Sequence, residues 1–230
     1  MTYIIGGNEV LHKPTPKVGR EGDRYQGFSP GSTILQAGHR KDPSLRAFEV
    51  DTIFERDIEV PLRDGTILRA DVFRPHNDTK LPALISWSPY GKSGSGMLNL
   101  SFMPGHAGLP SDALSGYEKF EAPDPAEWEP RGYAIISIDS RGAFDSEGNI
   151  RFLGSEEGKD EYDAVEYIAQ LPWCTGSVGI VGNSWLAMAP YHIASQQPQR
   201  STSRDPLSWR HSSGSIRFCN CCGLLWPRSD

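Results

Sequence analysis

The chain has 230 residues, long enough for one sizeable core or for one domain with an ordered extension. Charged residues make up 23% and hydrophobic residues 37%, which fits a soluble globular protein and excludes a disordered one. A net charge of −6 argues against nucleic acid as a partner, and no apolar run approaches the roughly 20 residues that span a bilayer. The first residues, Met1 to Gly7, are too short and uncharged a run for a secretory signal, so a cytoplasmic protein without membrane contact is expected.

Residues 1–50 are rich in Gly, Pro and charge and lack sustained periodicity. They read as an irregular extension over the domain, with a short strand around Thr33 to Leu35. From Arg56 to Leu62 apolar and polar side chains alternate, and Arg63 to Thr66 supply a turn with Gly65 where positive φ is expected. Alternation resumes from Ile67 to Phe73 and stops at Pro75, so the two runs predict a β-hairpin. Leu81–Trp87 and Tyr133–Asp139 are short apolar runs suited to buried strands. Between Glu156 and Gln170, Ala164, Val165, Ile168 and Ala169 form a helical stripe with acidic residues near its start. Val178–Gly182 reads as a third buried strand running into Asn183, Ser184, Trp185 and a helix to about Gln196. A hairpin followed by buried strands separated by a loop and a helix predicts an α/β sheet with parallel central strands. Active sites in such sheets lie at the carboxyl ends of the strands.

Gly182-Asn183-Ser184-Trp185-Leu186-Ala187 resembles the G-x-S-x-G elbow, with Ala187, one position late, in place of the last Gly. A nucleophilic serine needs a sharp strand-to-helix bend with small flanking residues, so that its hydroxyl projects. The helix that follows directs its first N–H groups toward a developing oxyanion, and the Trp185 N–H is the natural donor. The same residues also fit a plain serine N-cap on a βα turn.

Four further segments bear on that choice: Val60–Thr66, Ala70–Pro75, Trp87–Lys92, and Asp139–Gly142 followed by Ser146–Gly148. With the elbow, they resemble in order the X-prolyl dipeptidyl-peptidase/cocaine-esterase (CocE/NonD-type) family of α/β-hydrolases, from about Glu55 to Gln197. The resemblance implies that Ser184 is the acylated nucleophile. It implies that Tyr90 supplies an oxyanion-hole donor through its hydroxyl, beside the backbone N–H of Trp185. Asp139 and Arg141 match the family's D-x-R-G and are expected to brace a loop through an ion pair or backbone clamp. The substrate class implied is a small-molecule or peptide acyl compound, cleaved at a peptide, amide or ester bond through an acyl-enzyme.

Hydrolases of this fold place Ser, then Asp or Glu, then His along the chain. In the family, the acid and histidine lie well beyond the elbow, and the expectation here is a partial catalytic domain over 51–199, truncated before the later strands, cap and C-terminal β domain. Residues 200–230 turn basic and serine-rich and are expected to be a divergent, disordered tail, with a lost reading frame or splice pattern near Gln199. Asp205 and His211 satisfy the order nominally but lie only six residues apart without intervening strands. His192 reads as a helix-surface residue, and Pro190 falls inside the elbow helix at a cost of roughly 3 kcal/mol. The truncated chain is therefore expected to be inactive; a non-catalytic fragment or binding module that keeps the half-fold is the alternative. Cys219, Cys221 and Cys222 match no common zinc spacing and, with Cys174, read as free thiols, so neither a metal nor a dissociable cofactor is expected.

Overall fold

A computed structural model describes residues 3–10, 25–94, 103–196, 217–219 and 223–225. Its centre is a six-stranded mixed sheet. The strands are β3 (Gly31–Leu35), β4 (Thr52–Pro61), β5 (Ile67–Pro75), β6 (Leu81–Ser88), β7 (Ala134–Asp139) and β8 (Cys174–Ile180), in the spatial order β3-β4-β5-β7-β6-β8. The first four in that order pair antiparallel, whereas β7, β6 and β8 run parallel. Two further pairs, β1 (Tyr3–Ile5) with β2 (Asn8–Val10) and β9 (Arg217–Cys219) with β10 (Gly223–Leu225), form separate antiparallel ribbons. The helices are α1 (Pro125–Trp128), α2 (Ser155–Ala169) and α3 (Trp185–Gln196).

The predicted hairpin is β4–β5, though β4 begins earlier, at Thr52, and carries a bulge between Glu55 and Ile58. Asp57 occupies that bulge at φ +52°, and its carboxylate accepts the Ser29 N–H at 2.8 Å while its own N–H donates to Asp71 at 2.9 Å. A bulge that re-aims a buried acid is not visible in an alternating pattern.

Because side chains alternate across a strand, neighbouring residues enter different cores. Val72, Ile85, Ile136 and Val178 face α2 and α3, where Val165, Ile168, Leu186 and Ile193 cover them. Phe73, Leu84 and Ile135 point the other way, into an aromatic cluster with Phe48, Phe54 and Tyr117. Phe54 stacks on Phe73 with ring centroids 4.2 Å apart. Each fully buried side chain of this size contributes roughly 1.5–3 kcal/mol. The extension therefore joins the fold through β3, through Leu35 and through Phe48.

Helix α3 runs through Pro190 to Gln196, with Leu186, Ala189 and Ile193 buried. The expectations for 200–230, including Asp205, His211, Cys221 and Cys222, fall outside the described residues except at the β9–β10 ribbon. Among the described residues, no helix is long and apolar enough to cross a membrane.

Candidate active site

Strand β8 ends at Ile180, and the Val181 N–H still pairs with Ile85 of β6 at 2.9 Å before the chain turns. Four residues later α3 begins. Ser184 sits in the turn at φ +52°, a region that a non-glycine residue enters at a cost of about 1–3 kcal/mol. Gly182 makes the bend possible, since a Cβ there would lie 2.3 Å from Leu186 Cβ. The serine is solvent-exposed. Trp185 is the first residue of α3, so its N–H has no intrahelical acceptor and remains directed at the turn.

Tyr90 follows β6 and lies beside the turn, against the residue that follows Ser184. Its ring packs edge-on against Phe120 at 5.6 Å and Trp185 at 6.2 Å. Burial, reinforced by the nearby Glu121 carboxylate, raises the phenol above its ordinary value and keeps it a neutral donor. Tyr90 thus packs on Trp185, next in the chain to Ser184.

Glu121, which the sequence did not mark, is tied to Asn183 of the same turn. Its backbone takes φ +64°, its carbonyl accepts the Asn183 N–H at 2.9 Å, and its Oε1 accepts Asn183 Nδ2 at 3.3 Å. Burial raises the Glu121 carboxyl, against the lowering effect of hydrogen bonds from Asn183 and Ser184.

The loop that carries Glu121 is held by Lys119, whose side chain is completely buried. Its ammonium donates to the carbonyls of Ser88 (3.2 Å), Gly91 (3.0 Å) and Ile138 (3.0 Å) and to Asp139 Oδ1 (3.1 Å). One lysine therefore ties the loop to the carboxyl ends of β6 and β7. Asp139 also receives Lys92 at 3.3 Å, and Lys92 reaches Asp57 at 2.9 Å. Burial alone would lower Lys92, but the carboxylates of Asp139, Asp71 and Asp57 hold it above the ordinary lysine value. A small cleft lined by Tyr25, Asp57, Asp71, Lys92, Asp139 and Asp145 adjoins this network and does not include Ser184.

Asp139 and Arg141 brace separate elements. Arg141 grips Asp160 of α2 with two bonds of 2.7 Å and also reaches Thr66 at 2.6 Å and Asp64 at 2.9 Å. Gly142 is required in this turn, because a Cβ would lie 2.4 Å from the Ile150 nitrogen. On α2, Glu157 accepts the indole N–H groups of Trp87 and Trp185, each at 2.9 Å, and so fixes the residue that follows Ser184. His192 lies against α2, where its carbonyl oxygen would be 2.7 Å from a Cβ placed on Gly158. Among the described residues, no group of three or more His, Cys, Asp or Glu is placed to hold a metal ion.

A mixed sheet with a serine on a strained strand-to-helix turn defines the α/β-hydrolase fold. Residues 64–205 match the X-Pro dipeptidyl-peptidase (S15) family, and the chain belongs to that family. It is 29% identical over 138 residues to a cocaine esterase of Rhodococcus sp. (strain MB1 Bresler), a match that covers 60% of this chain and 20% of the esterase. Two crystal structures of a CocE/NonD family hydrolase from Staphylococcus aureus superpose with TM-scores of 0.60 and 0.62 at 28% and 27% identity. They cover 75% and 76% of this chain and 29% and 30% of theirs. The chain thus spans about a fifth of the esterase and under a third of the hydrolase.

Proposed function

We propose that this chain carries the nucleophile half of a serine hydrolase that transfers acyl groups from small-molecule or peptide esters and amides to Ser184. The observation that carries the reading is Ser184 itself, exposed at positive φ between β8 and α3. The Ser184 oxygen attacks the acyl carbon, and negative charge develops on the carbonyl oxygen. The Tyr90 phenol and the Trp185 N–H are the donors for that charge; loss of one such donor typically costs 10²–10³-fold in rate. The buried Glu157–Trp185 bond fixes the side chain beside the hole, so that the donor is set before substrate arrives.

Proton transfer is a separate demand. The histidine that the family places beyond the elbow takes the serine proton during acylation and activates water against the acyl-serine. We therefore infer that the chain acylates slowly at Ser184 and turns over poorly.

The test is labelling of the whole chain with a fluorophosphonate probe. Stoichiometric labelling that Ser184→Ala abolishes is expected. Labelling that survives Ser184→Ala, or no labelling of the folded chain, sinks the assignment.

A further inference from the structure

We propose that Phe152 is a specificity-determining residue of this site, and that its ring, with Trp185 and Met188, receives a bulky apolar group of the acyl substrate. The inference rests on Ser184 being the nucleophile and names the kind of substrate that this nucleophile takes.

The topology brings these residues to one end of the sheet. Strands β6, β7 and β8 run parallel, so the loop after β7 and the turn after β8 leave by the same edge. Phe152 lies late in that loop. Its ring meets the Trp185 indole edge-on, with centroids 5.0 Å apart and planes at 79°. Trp185 is held from the inside by its bond to Glu157 and is flanked by Tyr90. Met188 continues the surface along α3. Its N–H donates to the Ser184 carbonyl at 3.0 Å, which sets it one turn beyond the serine and beside Trp185 on the helix. A helical Cα–Cβ bond tilts toward the N-terminus, so Met188 leans back over the turn.

The exposure of this surface is what calls for an occupant. Phe152 is 77% exposed and Met188 44%, while Trp185 between them is 9% exposed. A single apolar side chain at a surface is ordinary, but two around a buried indole, beside an exposed serine, form a patch. The loop also holds Phe152 outward. Leu153 takes φ +24° and packs against the main core, so the chain turns one apolar side chain in and its neighbour out. The base of the loop is fixed, since the Gly142 N–H donates to Glu147 at 2.9 Å and the Glu147 N–H to Ile67 at 3.0 Å. A ring on a braced loop has little freedom left to lose when a substrate covers it. Neither a phenyl ring nor a thioether is a strong hydrogen-bonding group, so the surface selects by size and apolarity rather than by charge.

Two probes of different size, used on the whole chain, test the proposal. A phenylphosphonofluoridate and a methylphosphonofluoridate present the same reaction to Ser184: the Oγ–P bond forms, the P–F bond breaks, fluoride leaves and the hydroxyl proton passes to solvent. The ratio of the two labelling rates, phenyl over methyl, is read by intact mass. Phe152→Ser should lower that ratio about 10-fold relative to the parent chain, the low end of what a lost apolar contact costs in discrimination. Phe152→Leu, which keeps an apolar side chain without the ring, should fall between the two, and Met188→Ser should lower the ratio less than Phe152→Ser. Melting curves of the variants confirm that they are folded at the temperature of labelling. A parental ratio in Phe152→Ser, even with both rates changed, overturns the role of Phe152 and leaves the nucleophile standing. No labelling of the folded parent chain, or label retained in Ser184→Ala, removes the nucleophile and the inference with it.

Discussion

Two buried acidic regions lie close to the same sheet, and they handle charge in opposite ways. In the first, Asp57, Asp71 and Asp139 face Lys92 and Lys119. Asp139 is fully buried and meets two ammonium groups. Along the inner side of α2, Glu157 and Glu161 are each 1% exposed. Glu157 receives two indoles, whereas both oxygens of Glu161 lack a hydrogen-bond partner among the described residues. Burial first, then Glu157 and Asp160, drives the Glu161 carboxyl well above its ordinary range, so it stays protonated where Asp139 stays paired. Paired charges fix the geometry of loops that must hold a strained site. A protonated acid is tolerated on a helix whose task is to cover the sheet.

The largest way to break the first region is Lys119→Met. It removes three carbonyl contacts and one carboxylate contact from a fully buried site and leaves Asp139 with Lys92 alone. A broken buried pair of this kind costs about 3–5 kcal/mol. Urea denaturation should show the loss as a lower midpoint, and Ser184 labelling should fall as well, because the loop is tied to the elbow through Asn183. A variant as stable as the parent chain would mean that these lysine contacts do not hold the loop.

This region was the least legible in the sequence. Alternation announced β4 and β5, and the apolar runs announced β6, β7 and β8, because burial on a strand leaves a local, periodic trace. Ser184, Tyr90 and Trp185 were singled out through their motifs. Lys119 and Glu121 lie in a segment without periodicity, and their partners are 19 to 62 residues away in sequence. Asp57 was hidden for another reason: its bulge interrupts an alternation that otherwise continues on both sides. The signal that could have raised Lys119 and Glu121 is composition, a lysine and a glutamate flanking Phe120 shortly before α1, but composition carries no direction. The ribbon β1–β2 left a fainter trace, since three-residue strands are too short for a pattern.

The second region can be sharpened at Trp87. Its indole donates to Glu157 Oε1 from a fully buried position. Trp87→Phe keeps most of the apolar area and deletes the donor, so it should cost about 1–3 kcal/mol, the usual price of leaving a buried acceptor short of a partner. The double substitution with Glu157→Gln should cost less than the sum of the two single changes, because both act on one contact. Additive losses in thermal melts would show that Trp87 matters only through its packing.

The finest distinction between the regions lies in how Glu161 responds to pH. A carboxyl whose folded value is raised binds more protons in the folded state than in the unfolded one, so it favours the fold at low pH. That contribution is fully present below the unfolded value, about 4.3, and is withdrawn as pH rises toward the folded value. At pH 5 the Glu161→Gln variant should therefore lie within about 1 kcal/mol of the parent chain, since a neutral amide replaces a neutral acid. Between pH 5 and pH 8 the parent should lose stability more steeply than the variant, by up to about 1.4 kcal/mol per pH unit while the difference in protonation lasts. Melting temperatures of both proteins over that range measure the gap. Parallel curves would mean that Glu161 is ionised and paired, and the contrast with Asp139 would disappear: both regions would then hold their buried acids by counter-charge.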